Sequence, residues 1–176
     1  MLSRIYLMAL VSLALVPAIS AQANELKPFT TDGCSLWMDG PPLYPNLWRH
    51  CCVAHDLAYW QGGSKAQRLA ADDAIQACIL EAAESKGMSN YMHGMIRWGG
   101  SPYWMNTYRW GYGWNYWEGF LKPRGYKTPT AEEQIKINEY MPTAMQLMAD
   151  DATKYPPTKM MDKLAQTLKK EEEKKE

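Results

Sequence analysis

The chain has 176 residues with 19 Lys and Arg against 19 Asp and Glu, a formal net charge of zero. That balance offers no bulk attraction to a phosphate backbone, so nucleic acid is excluded as an expected partner. The length fits one modest domain with an extension, and four cysteines (Cys34, Cys51, Cys52, Cys78) suggest two disulfides made in an oxidising compartment.

In chain order, residues 1–23 read as a secretory signal. Arg4 gives the basic start, Leu7 to Val16 the apolar run, and Ala21-Gln22-Ala23 a small-x-small cleavage site. The apolar run is shorter than the roughly 20 residues that span a bilayer, so cleavage is expected rather than anchorage, with a mature chain starting at Asn24. An exported protein, periplasmic or secreted, follows from that reading. From Phe29 to Tyr44 the chain is rich in Gly, Pro and Asp, including Asp32-Gly33 and Asp39-Gly40-Pro41-Pro42, and reads as a loop.

A first helix is expected from Asn46, as N-cap, to Trp60, with Gly62-Gly63 stopping it. Ser64 can cap a second helix over Lys65 to Lys86, which carries Leu69, Ala70, Ala74, Ala77, Cys78 and Ile79 at helical spacing before Gly87 as its stop. The short connection makes the pair an antiparallel hairpin. Residues 88–126 hold Trp98, Trp104, Trp110, Trp114 and Trp117 among several glycines and tyrosines, without a clean period. They read as a Gly-jointed core around the hairpin in preference to an interfacial patch. Thr130-Ala131-Glu132-Glu133 resembles a capping box opening a further helix, which Pro142 is expected to end or restart. Lys169 to Glu176 is charge only, a solvated tail. The expected fold is mainly α: a disulfide-stapled two-helix core with Gly- and aromatic-rich loops over residues 24–126, and a helical extension over 127–176.

On a helix, residues four apart share a face. Cys51, His55 and Tyr59 therefore form one stripe, and Cys52, Asp56 and Trp60 another. His55 and Asp56, adjacent in sequence, are aimed at different targets. Adjacent helical cysteines do not readily bond to each other, which leaves two connectivities. In one of them Cys51–Cys78 staples the second helix beside His55, and Cys34–Cys52 staples the loop beside Asp56. His55 lies about 6 Å along its axis from Cys51, and Asp72 about 9 Å from Cys78 along an oppositely directed axis. A carboxylate from the second helix, Asp72 or Asp73, can then reach His55, fix its tautomer and stabilise an imidazolium. His50 and His93 lack such surroundings and read as ordinary surface or loop histidines. A zinc site at the cysteines is not expected, because their thiols are oxidised.

The Cys51-Cys52-x-x-His55-Asp56-x-x-Tyr59 segment, with Asp72-x-x-x-x-x-Cys78 on the neighbouring helix, resembles the catalytic helices of secreted phospholipases A2 over about residues 32–80. The short hairpin looks like the compact bacterial members. The Asp32-Gly33-Cys34-Ser35 loop, the Tyr59-Trp60-x-Gly62-Gly63 ending and the aromatic block also resemble a group of bacterial exported proteins related to that superfamily. The resemblance favours Asp72 over Asp73, and implies that His55 deprotonates a water for attack on the sn-2 ester of a phospholipid, with Asp72 orienting His55 and Tyr59 bonded to Asp72. It further implies that Asp56 binds Ca²⁺ with backbone carbonyls of Gly33, Ser35 and Trp37, and that the substrate partner is a phospholipid or membrane surface. This chain departs from the family in its loop, where Cys34-Ser35-Leu36-Trp37 stands in place of glycines and Leu and Trp must adopt angles that suit glycine. Asp32 or Asp39 are alternative oxygen ligands. The rival expectations are a non-catalytic envelope- or protein-binding member of the same fold, and a hydrolase that works without Ca²⁺.

Overall fold

The computed structural model describes residues 25–156 together with Leu168, Lys170, Glu171, Glu173 and Lys174. The expected signal, and the charged tail apart from those last four positions, lie outside the described residues. Among the described residues the helices follow in the order α1 (Arg49–Gln61), α2 (Lys65–Ala83), α3 (Lys86–Gly99) and α4 (Ala131–Lys154). Among the described residues there is no strand beyond an isolated antiparallel bridge between Trp117 and Pro123, so the fold is mainly α. None of the described helices is long and apolar enough to cross a membrane.

Two disulfides, Cys51–Cys78 and Cys34–Cys52, hold the centre. The first joins the start of α1 to the later part of α2, while Tyr59 near the end of α1 meets Arg68 and Asp72 earlier in α2, so the two helices run antiparallel. A capping box opens α2, with Ser64 accepting from the Gln67 backbone N–H and Gln67 reaching back to the Ser64 N–H.

Helix boundaries differ from expectation at three places. Asn46 is not the cap of α1, which begins at Arg49 after Trp48 with no side-chain cap. The intervening residues turn tightly instead, because Leu47 N–H bonds the Tyr44 carbonyl and Trp48 N–H bonds the Asp39 carbonyl. Gly87 does not stop α2. The helix ends at Ala83 with Glu84 in the left-handed region (φ 51°), and Ser85 then caps α3, within which Gly87 lies. Pro142 neither ends nor restarts α4, which runs unbroken through it. Ile137 and Ala144, on either side, are both buried in one cluster, and that packing outweighs the backbone bond the proline cannot donate.

The core has two parts. One gathers Leu47, Trp48, the stapled cysteines, Ile75, Ile79 and Met92 between the loop, α1, α2 and α3. The other joins Leu26, Phe29, Trp60 and Trp114 to Ile137 and Ala144 of α4. The irregular aromatic segment is divided between inside and outside. Trp110 and Trp114 are buried, whereas Trp98, Trp104 and Trp117 are exposed.

Tryptophans organise segments that have no ladder of their own. Indole N–H groups donate to the carbonyls of Lys27 (from Trp60, 2.7 Å), Met38 (from Trp48, 2.7 Å), Gln61 (from Trp114, 2.8 Å) and Gly63 (from Trp110, 2.9 Å). Each ring thereby fills apolar volume and satisfies a loop carbonyl at once. Buried Arg109 adds bonds to the carbonyls of Trp110, Gly111 and Trp114. At Gly113 a side chain would collide with Trp60, so glycine permits the close approach of this segment to α1.

Candidate functional site

The first stripe of α1 faces α2. His55 Nε2 lies 3.1 Å from Asp72 Oδ1, and the Tyr59 hydroxyl donates to the same oxygen at 2.6 Å. Asp72 is fully buried, and the His55 side chain is nearly so. Burial lowers the proton affinity of His55 below the ordinary imidazole value, although the bond to Asp72 works in the opposite direction. The ring is therefore neutral near pH 7, with Nε2–H donated to Asp72 and the Nδ1 lone pair without a partner among the described residues.

Behind this pair stands Arg68, which the sequence reading did not single out. Its Nε donates to the Tyr59 hydroxyl (3.1 Å), one terminal nitrogen to the Tyr126 hydroxyl (2.8 Å), and the other to the carbonyls of Ile96 (3.2 Å) and Arg97 (2.7 Å). The guanidinium thus sits at the C-terminus of α3, where helix carbonyls lack partners and a cation is favoured. Asp72 Oδ2 has no hydrogen bond, but Arg97 Nε at 3.5 Å and Arg68 Nε at 3.7 Å give it two positive neighbours. Asp73, the rival to Asp72, faces away and is exposed, meeting His93 Nε2 at 3.0 Å and the Arg97 guanidinium. His93 therefore lies half-buried on α3 rather than in a loop.

The second stripe faces the loop. Asp56 Oδ2 accepts from the Thr31 hydroxyl at 2.7 Å, and Cys52 beside it is tied to Cys34. Desolvation is the main cause that pushes the Asp56 carboxyl up to about 7, with the Thr31 bond opposing it and the charge of Asp32 adding to it. Of the two residues expected to take glycine-like angles, Leu36 does (φ 60°) and Trp37 does not, while Gly33 takes such an angle freely (φ 86°). Arg49 underpins it, bonding the Asp32 carbonyl (3.1 Å), the Asp39 carboxylate (2.5 Å) and Asp151 of α4 (2.7 Å). Asp39 also accepts from Cys34 N–H, and Asp32 from the Ser35 hydroxyl, so both carboxylates have partners within the loop.

No donor among the described residues reaches the carbonyls of Gly33, Ser35 or Trp37. These residues line one pocket with Asp56, and carbonyl and carboxyl oxygens are the kind of donor a hard cation such as Ca²⁺ takes. Elsewhere, His50 Nε2 lies 3.5 Å and 3.6 Å from the sulfurs of Cys51 and Cys78, but both sulfurs belong to a disulfide and are not thiolate ligands.

Both stripes open on one pocket of about 170 Å³. His55, Asp56 and Tyr59 line it together with the loop from Gly33 to Trp37 and the α3 side chains Tyr91, Met95 and Trp98. Its walls are mostly apolar, with the imidazole and the carboxyl among its polar groups. Gly100 also lines it, where any side chain would strike the Tyr59 ring.

Comparison with protein-family models, with curated proteins and with solved structures gave no match. The site therefore rests on its own geometry. That geometry joins His55, Asp72 and Tyr59 in one network, and it sets Asp56, Gly33, Ser35 and Trp37 around the same pocket. Arg68, Arg97, Thr31 and Arg49 complete the site, and of these only Arg68 left a usable sign, its four-residue spacing from Asp72 on one helix face.

Proposed function

We propose that this chain is an exported, phospholipase A2-like lipid esterase in which His55 and Asp72 activate a water against the sn-2 ester of a phospholipid. One observation carries the reading: a neutral imidazole, held through Nε2 by a buried aspartate, lines an apolar pocket with its second nitrogen free. The same spacing of residues on α1 and α2 motivates the family resemblance, and the disulfides together with the lack of a membrane-crossing helix among the described residues agree with an exported protein.

In this mechanism Nδ1 of His55 takes a proton as water adds to the ester carbonyl, and later delivers it to the departing alkoxide. Asp72 keeps Nε2 as the donor, so the lone pair lies on Nδ1, and it balances the imidazolium that forms. Tyr59 fixes the Asp72 oxygen that meets His55, and Arg68 fixes Tyr59. The apolar walls from α3 exclude water from the acyl chain. Asp56 and the carbonyls of Gly33, Ser35 and Trp37 would hold Ca²⁺, which when bound supplies a Lewis acid for the ester oxygen.

A second reading is favoured by the two guanidiniums near Asp72 Oδ2. They offset the charge that would otherwise stabilise imidazolium, as expected for a non-catalytic member that keeps the hairpin as a scaffold for binding an envelope component or a protein. Fatty-acid release from mixed phospholipid vesicles separates the two. The esterase reading expects release that falls at least about a hundredfold in His55→Ala, and comparably in Asp72→Asn. Release that survives a chelator but still requires His55 removes Ca²⁺ and keeps the dyad. No release under any condition selects the binding protein.

A further inference from the structure

We propose that the turn at Glu118–Lys122 is a lipid-docking finger, which inserts Phe120 and Leu121 into the surface of an anionic bilayer. Phe120, at 94% accessible, is the most exposed of the large apolar side chains described in the aromatic segment, and Leu121 beside it is 71% accessible. The turn that presents them is closed on both sides: Glu118 N–H bonds the Lys122 carbonyl at 2.7 Å, Trp117 bridges Pro123, and Lys127 pairs with Glu118. Gly119 (φ 93°) turns the chain freely, whereas Leu121 (φ 52°) is held in the left-handed region that costs a side-chain-bearing residue, and the tip shows an apolar pair to solvent.

The composition of the finger fits a bilayer. Phe and Leu suit the acyl boundary, and Trp117, exposed at the base, suits the headgroup zone. Lys122 is exposed and forms no ion pair among the described residues, so its ammonium can reach a lipid phosphate while its stem follows the apolar tip. Two protruding side chains are too small for a stable protein interface, which buries about 800 Å² per partner, but they suffice to seat a protein on lipid.

The finger is also linked to the pocket through aromatic contacts. Trp98 at the pocket lies 5.9 Å from the Trp104 ring, and Tyr103, next in chain, accepts at its carbonyl from the Tyr116 hydroxyl. Tyr116 packs edge-on against Trp117 at 4.7 Å, which completes the path. The base of the finger is thus joined to the α3 wall of the pocket through Tyr116, Tyr103 and Trp104. This extends the lipid-esterase reading but is tested apart from it.

The test uses vesicles of ether-linked phosphatidylcholine and phosphatidylglycerol, which contain no ester to hydrolyse. The full chain is expected to co-sediment with them, and Phe120→Ser combined with Leu121→Asn to weaken that partition at least about tenfold. Lys122→Gln is expected to weaken it about fivefold, and only when phosphatidylglycerol is present. Leu43→Ser, at an exposed leucine outside the finger, should bind as the native chain does. Asn is tolerated at positive φ, so thermal unfolding of the double variant should match the native protein. Equal binding by native and finger variants overturns the proposal, as does absence of vesicle binding, or finger-dependent binding to a soluble protein instead. Finger-dependent vesicle binding without hydrolysis of any ester leaves the docking surface standing and removes the esterase. Hydrolysis of vesicle lipid with finger-independent binding does the reverse.

Discussion

His55 and Asp56 are neighbours on α1, and burial drives both toward their neutral forms with opposite consequences for stability. Asp56 in the folded chain keeps its proton up to about pH 7, whereas the unfolded carboxyl loses it near 3.8. Folded Asp56 therefore binds more protons across that window, and its contribution to stability falls as pH rises through it. His55 acts the other way: below pH 6.5 the unfolded ring takes a proton that the folded ring resists, so stability falls as pH drops. Asp56→Asn should remove the first effect alone. Its stability is expected to equal that of the native chain near pH 4 and to exceed it by about 2 kcal/mol at pH 8, since the carboxyl is only half-buried. Thermal unfolding across pH checks this, and a gap that does not vary with pH would count against it. Calcium at pH 8 should stabilise the native chain and not this variant, with the gain fading toward pH 5 as protons compete for Asp56. Arg68 permits a sharper test of the network behind His55. Arg68→Met is expected to cost about 3 kcal/mol in urea unfolding, and Arg68→Lys to recover little, because one ammonium cannot serve two hydroxyls and two carbonyls in a plane.

Left-handed backbone at non-glycine positions concentrates at Leu36, Glu84 and Leu121, two of them on apolar tips of loops. Leu36→Gly should relieve that strain and stabilise the fold by about 1 kcal/mol in urea unfolding, offset in part by the greater freedom of glycine in the unfolded chain. Pro142 is exposed within α4, so Pro142→Ala should restore a backbone bond and raise stability by about 1–3 kcal/mol, whereas a loss would show that a bend at this point is needed. These elements also show what a reader of the sequence could and could not see. Ser64 and Thr130 advertise helix starts through side chains a few residues away, and both open capping boxes. The pair of cysteine stripes works for the same reason, since helical spacing is local and places His55 toward α2 and Asp56 toward the loop. Helix α3 escaped because Gly87, Gly94 and Gly99 dilute its propensity and because its buried face includes Ser89, whose hydroxyl donates to the Gln76 carbonyl. The burial of Arg68 leaves no local signal, since its partners Tyr126, Ile96 and Arg97 are distant in sequence. The indole-to-carbonyl bonds that order the aromatic segment are equally long-range, and no periodicity reports them.

Across the whole molecule, the two parts of the core meet along α1, and different devices fasten each side. Cys51–Cys78 secures α2, so Cys51→Ala with Cys78→Ala is expected to cost about 3 kcal/mol in urea unfolding and to loosen Asp72 from His55. An NMR titration of His55 would report that loosening as a change in its proton affinity, and an unchanged titration would show that helix packing alone keeps the pair together. The other side depends on Arg49, whose guanidinium meets Asp39 ten positions away and Asp151 across a separation of 102, with the Tyr155 ring 4.2 Å beneath it. A chain made from its amino end offers Arg49 its first partner early and its second only when nearly all of α4 exists. The pocket rim is thus the last part of the site to gain its full set of bonds, and a product cut short before Asp151 would carry the whole dyad on α1 and α2 beside a loop still missing one anchor. The clamp makes the form of the rim a check on the completeness of the chain.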